Sequence, residues 1–214
     1  MSRSRSSFDW IGLAILLGTF AITLAVYPRL PDPMPSHFGI SGTADGWMPR
    51  DVAAWLLPLG TLALGLPIRF GSMIMPRRAR EFVGPAPVSG IAFLMVTILC
   101  ATHLLILHAA LNPPPRLGEA IWILCGIFLI AAGQWMPRTR RNRIAGFRTA
   151  WSLASDENWA RAQRVGGYGL SLAGAAMAIF GALGMPVPAL CVVPLTAVAL
   201  IAWSSAMSRR DRSS

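Results

Sequence analysis

Six long uncharged apolar runs constrain this chain more than any other feature. They cover roughly Trp10 to Tyr27, Val52 to Ile68, Val88 to Leu111, Glu119 to Met136, Tyr168 to Met185 and Pro188 to Met207. About 20 apolar residues cross the hydrocarbon core of a bilayer. Lipid cannot satisfy backbone polar groups, and these runs lack the two-residue alternation of a membrane barrel, so each run is expected to be helical. With 54% hydrophobic and 13% charged residues in a 214-residue chain, an ordinary soluble fold is excluded. The expected class is all-α: a polytopic membrane protein of six transmembrane helices forming one membrane domain over residues 1–214.

The basic residues give an orientation. All 19 are arginine, and 16 of them fall in the N-terminal tail, the second-to-third connection, the fourth-to-fifth connection and the C-terminal tail. Arg29, Arg50 and Arg116 are the three on the other side. The positive-inside rule therefore expects both termini in the cytoplasm. The net charge of +10 reads as this topological signal plus attraction to anionic lipid. Nucleic-acid binding is not expected, because the arginines border helix ends instead of interleaving with aromatics on one soluble face. The first run is too long for a signal-peptide core and is read as an uncleaved span. Cys100, Cys125 and Cys191 all lie within runs, where thiols behave as small hydrophobes and offer neither a disulfide framework nor a metal site.

Within the runs, packing signals dominate. Gly174, Ala178 and Ala182 recur every four residues, a stripe that lets another helix approach closely. Trp10, Trp55, Trp122, Trp135 and Trp203 fall near run ends, where indoles favour the membrane interface. The intramembrane polar groups are His103, His108, Gln134 and scattered hydroxyls. His103 and His108 point about 140° apart on an ideal helix. They cannot readily share one metal or one proton path, and no Asp or Glu lies in the middle of a run. A small multi-pass transporter or channel is the alternative reading that these residues leave open.

Two loops hold most of the remaining information. The extracytoplasmic loop, residues 28–51, contains "PDPMPSHFGISGTADGWMPR". Its prolines exclude helix and favour an extended, polyproline-like path, and Gly39, Gly42 and Gly46 permit turns. A loop returning on itself brings His37 to Asp45, with Trp47 covering the pair or dipping into the headgroups. A metal site from His37, Asp32 and Asp45 has loose spacing and is a weak signal. The cytoplasmic loop, residues 138–167, opens with "RTRRNR" at the headgroups and continues "IAGFRTAWSLASDENWARAQRVGG". Ser155 is expected to cap a short interfacial helix carrying Asp156 and Glu157 in its first turn, with Gly166-Gly167 loosening the chain afterwards. No nucleophile beside a base, carboxylate pair or phosphate-cradling loop appears, so no enzymatic activity and no cofactor are expected.

Both loops together resemble a known family. "YPRLPDPMPSHFGISGTADGWMPR" resembles the motif of a domain of unknown function, and "NRIAGFRTAWSLASDENWARAQRVGG" is similar to the signature of the SdpI family of bacterial membrane proteins. The resemblance implies an immunity protein of the bacterial cytoplasmic membrane that protects against a secreted peptide toxin. It also implies signalling, in which a cytoplasmic repressor is held at the membrane. The residues carried over for ligand or partner binding are His37, Gly42, Asp45 and Trp47 outside, with Pro35 beside them. Inside they are Asn142, Gly146, Arg148, Thr149, Trp151, Trp159 and Arg164, along with Leu153 and Gly167. Ala150, Ser152 and Gln163 depart from the family's usual Pro, Thr and His.

Overall fold

The computed structural model describes residues 7–74, 88–114, 116–143 and 145–213. The helices are α1 (Ser7–Val26), α2 (Arg50–Ile74), α3 (Val88–Leu111), α4 (Ala120–Trp135), α5 (Ala150–Ala154), α6 (Asp156–Ala182) and α7 (Pro186–Ser213). A two-stranded sheet, β1 (Met34–Phe38) with β2 (Ala44–Met48), interrupts the all-helical pattern. Five segments are long and apolar enough to cross a membrane: Trp10–Arg29, Ala92–Leu111, Ala120–Arg138, Asp156–Ala182 and Pro186–Asp211. The run from Val52 to Ile68 is helical within α2, which holds Pro58 and Pro67 internally and is not one of these five. Arg3, Arg5, Arg77, Arg78 and Arg80, which carry part of the orientation argument, lie outside the described residues.

The long helices alternate in direction. Gly12 of α1 meets Phe93 and Thr23 meets His103, so α1 and α3 run parallel. Gly65 of α2 approaches Val96, and Gly90 of α3 packs against the Trp135 ring at the end of α4, which makes both of those neighbours antiparallel. The strands therefore sit at one end of the bundle. The start of α1, the end of α7 and the loop around α5 gather at the other.

Helices α4 and α6 make the closest approach. A Cβ on Gly133 would stand 2.5 Å from the Gly167 carbonyl oxygen, and one on Gly167 would stand 2.6 Å from that of Gly133. Gly181 packs on Trp122 about four turns further along α6. Glycines at 167, 174 and 181 thus face α4 at heptad spacing, with Ala178 between them against Gly126. The small-residue stripe is real, but its register runs through the glycines. Gly166 and Gly167 do not loosen the chain, because α6 passes through both unbroken and needs them where Met136, Phe147 and Pro137 press in. Without side chains between them, backbones gain dispersion contact that lipid cannot match.

Of the tryptophans near run ends, Trp10 is exposed, whereas Trp55 and Trp203 pack on other rings. Trp55 stacks on Phe20 and Tyr27 at centroid distances of 6.1 and 5.9 Å, and Trp203 meets Trp151 edge-on at 5.4 Å.

Candidate functional site

The proline-rich loop forms a hairpin instead of a polyproline path. Pro35 pairs with Trp47 and His37 with Gly46, with irregular register on both sides of His37. The sheet tolerates Pro35 because each of its two strands is an edge and the register breaks directly after this residue. Gly46 makes room for its partner: a Cβ at that position would stand 2.8 Å from the His37 Cβ. Met34 and Pro35 are buried, and Met34 seats the hairpin on Leu30, on Ala53 and Ala54 at the start of α2, and on Leu107 and Ala110 at the end of α3.

The hairpin brings His37 and Asp45 together as expected, with Nδ1 and Oδ1 2.5 Å apart. Trp47 does not cover them. The His37 side chain is 74% exposed, and Trp47 itself is 50% exposed. Alternation along β2 puts Asp45 and Trp47 on one open face. Asp32 is not part of this pair, since its carboxylate accepts from the Arg50 backbone N–H at 3.2 Å. No group of three or more His, Cys, Asp or Glu that could hold a metal occurs among the described residues.

Gly42 is buried at the hairpin tip with φ +75°, a conformation that glycine adopts freely. A Cβ there would stand 2.7 Å from the Gly118 nitrogen. The contact is deliberate in geometry: Leu117 N–H donates to the Gly42 carbonyl at 2.8 Å, and Thr43 bridges Arg116 while bonding Gly39 on its other side. The short α3–α4 connection thus braces the hairpin. Nothing in its "NPPPRLG" sequence signals that role beyond an arginine and a glycine beside prolines.

At the opposite end, residues 139–164 fold into an elbow. Thr149 caps α5 reciprocally with Ser152, and its hydroxyl also meets Ser204 of α7 at 2.7 Å. Trp151 is buried and donates from Nε1 to Asp211 at 2.6 Å. Ser155 caps α6 by accepting from Asn158 N–H at 3.0 Å, as expected. Trp159 is 2% exposed and donates from Nε1 to the Thr139 carbonyl at 2.9 Å. Asn142 is buried, accepting from Ala145 N–H at 2.9 Å and donating to the Arg140 carbonyl at 2.8 Å. Gln163 pairs with Phe147 like a strand neighbour, accepting its N–H at 2.9 Å and donating to its carbonyl at 3.0 Å. Gly146, at φ +111°, lies against that amide.

Of the inner residues carried by the resemblance, Asn142, Trp151 and Trp159 are thus spent on the elbow's own fold. Arg148 and Arg164 point out. Arg148 keeps one hydrogen bond, from Nη1 to the Arg143 carbonyl at 2.5 Å, and Arg141 pairs with Asp156 at 2.9 Å. Sequence reasoning missed Ser204 and Asp211 as elbow partners. An isolated acid among the C-terminal arginines was the available signal.

Between the ends, His103 is 1% exposed and shares a 2.9 Å hydrogen bond with Thr23, whose hydroxyl donates to the Thr19 carbonyl. Thr23 therefore accepts, and His103 Nε2 carries the proton. His108 is exposed and meets Asn112, so the two histidines do point apart.

Residues 138–206 match the SdpI/YfhL protein family, and residues 14–62 match a domain of unknown function, DUF1648. The first match spans the elbow, α6 and most of α7, and the second spans α1 from Ala14 onward, the hairpin and the first half of α2. Neither a curated protein nor a solved structure matches the chain.

Proposed function

We propose that this chain, carrying the SdpI/YfhL segment, is an immunity protein of the bacterial cytoplasmic membrane that protects its cell against a secreted peptide toxin. In this reading six helices span the bilayer, both termini and the elbow face the cytoplasm, and the hairpin faces outward. The match of residues 138–206 is the observation that carries it. The open face bearing His37, Asp45 and Trp47 supports a recognition role for the hairpin. Signalling is part of the proposal: the elbow's outward arginines, Arg148 and Arg164, would dock a cytoplasmic repressor when toxin occupies the hairpin.

Expression in a toxin-sensitive bacterial host tests the reading. Survival of challenge by at least one secreted membrane-active peptide, lost with His37→Ala or Trp47→Ala at equal protein level, is the expected result. Unchanged killing across a panel that includes any peptide toxin encoded beside this gene would sink it.

A further inference from the structure

A groove on α2, lying outside the hairpin's recognition face, has the features of a phospholipid site. Its volume is about 400 Å³, and it is lined by Asp51, Val52, Trp55, Leu56, Leu59, Gly60 and Ala63. All of these lie on one helix, so the slot follows the helix axis from the hairpin end toward the middle of the bundle. From Asp51 to Ala63 an α-helix rises about 18 Å. That length compares with one leaflet, half of a hydrocarbon core of about 30 Å. Gly60 forms the floor, and a Cβ built there meets nothing within 4 Å.

Asp51 lines the head of the groove, and Arg50 lies beside it with the opposite charge. The Asp51 side chain is 76% exposed, and its Oδ1 accepts from the Tyr27 hydroxyl, leaving Oδ2 without a partner among the described residues. The Arg50 guanidinium lies 4.9 Å over the Tyr27 ring, with its Nε 3.8 Å from Asp51 Oδ1. Arg50 Nε is buried with no hydrogen-bond partner among the described residues. Trp55, stacked on Tyr27, joins this polar cap to the apolar slot below.

We propose that α2 binds a zwitterionic phospholipid with a primary-ammonium headgroup, in the leaflet on the hairpin side. The lipid phosphate meets Arg50, its ammonium meets Asp51, and one acyl chain lies along Trp55, Leu56, Leu59, Gly60 and Ala63. A cation and an anion on adjacent residues match a phosphate and an ammonium separated by a two-carbon link. Phosphatidylglycerol offers the same phosphate but a neutral glycerol in place of the ammonium, so Asp51 would face no cation. The acyl contacts supply shape but little selectivity, because lipid tails are as apolar as the groove. Selectivity therefore resides in the two charges.

Native mass spectrometry of the full chain in detergent, titrated with phosphatidylethanolamine or phosphatidylglycerol, tests the proposal. The wild type is expected to retain phosphatidylethanolamine about tenfold more strongly. Asp51→Asn should abolish that preference while some binding of both lipids persists. Gly60→Leu should fill the slot and remove binding of both, and the open space at Gly60 lets its melting temperature stay at the wild-type value. Equal retention of the two lipids by the wild type overturns the proposal, as do wild-type adducts on Gly60→Leu. A concentration-dependent dimer that Gly60→Leu dissociates would also overturn it, by assigning the groove to a second copy of the chain.

Discussion

Gly126 and Gly174 face one another so closely that a Cβ on either would stand 2.5 Å from the carbonyl oxygen of the other. This contact sits at the centre of the α4–α6 seam. Gly174→Val is expected to force the two backbones apart, since even one added methylene in a packed core costs about 1–3 kcal/mol. Gly60→Ala, on an open surface of α2, should be neutral by the same measurement. Thermal unfolding in detergent checks the pair, and equal melting temperatures would show that the helices are held elsewhere.

How much of this was legible in the sequence depends on the distance over which each feature is decided. Helices long enough to cross a bilayer announce themselves locally, because lipid demands an uninterrupted apolar run. The Ser155 cap and the acidic first turn of α6 were equally local. The hairpin was not, since four prolines within residues 28–35 obscured a strand whose pairing depends on Gly46 clearing space for His37. Gly166 and Gly167 looked like a break for a similar reason. Intrinsic propensity disfavours them in a helix, and the packing of α4 and the elbow overrides it. The elbow's inner residues were found by pattern, but which of them face inward depends on Thr139, Ser204 and Asp211, which pattern does not connect.

Trp159 and Arg148 separate the elbow's fold from its surface. Trp159→Phe keeps most of the ring but strands the Thr139 carbonyl, which should cost about 1–3 kcal/mol. Trp159→Ala adds a cavity and should cost about 3–5 kcal/mol. Arg148→Ala should shift stability little, because the side chain is exposed and holds one hydrogen bond. Melting temperature and repressor recruitment to the membrane, measured on the same proteins, are the readouts. Recruitment that survives both Arg148→Ala and Arg164→Ala would remove the arginines from the docking proposal.

Gln163 needs both ends of its amide. Gln163→Glu keeps the acceptor for Phe147 N–H, loses the donor to the Phe147 carbonyl and buries a carboxylate. It is expected to destabilise by at least about 1–3 kcal/mol. Gly146→Ala attacks the same contact from the other side, because its Cβ would stand 2.5 Å from Gln163 Oε1 at a φ that disfavours alanine. Shared partners make the two changes non-additive. A double mutant whose melting-temperature loss equals the sum of the single losses would show that Gly146 and Gln163 act independently.

His37 and Asp45 should matter for recognition and hardly at all for folding. Both side chains are more than half exposed, and an ion pair in water contributes about 0–1 kcal/mol. His37→Ala and Asp45→Ala should therefore leave the melting temperature nearly unchanged while reducing toxin protection. If the pair presents one surface, the double variant should protect no worse than the weaker single variant. Gly46→Ala sharpens the test without touching either side chain's chemistry: its Cβ would stand 2.8 Å from the His37 Cβ and must turn the imidazole away from Asp45. Loss of protection in Gly46→Ala, with insertion intact, would assign the role to the pair's geometry as well as its charge. Full protection by all three variants would leave Trp47 as the feature of this face still available for recognition.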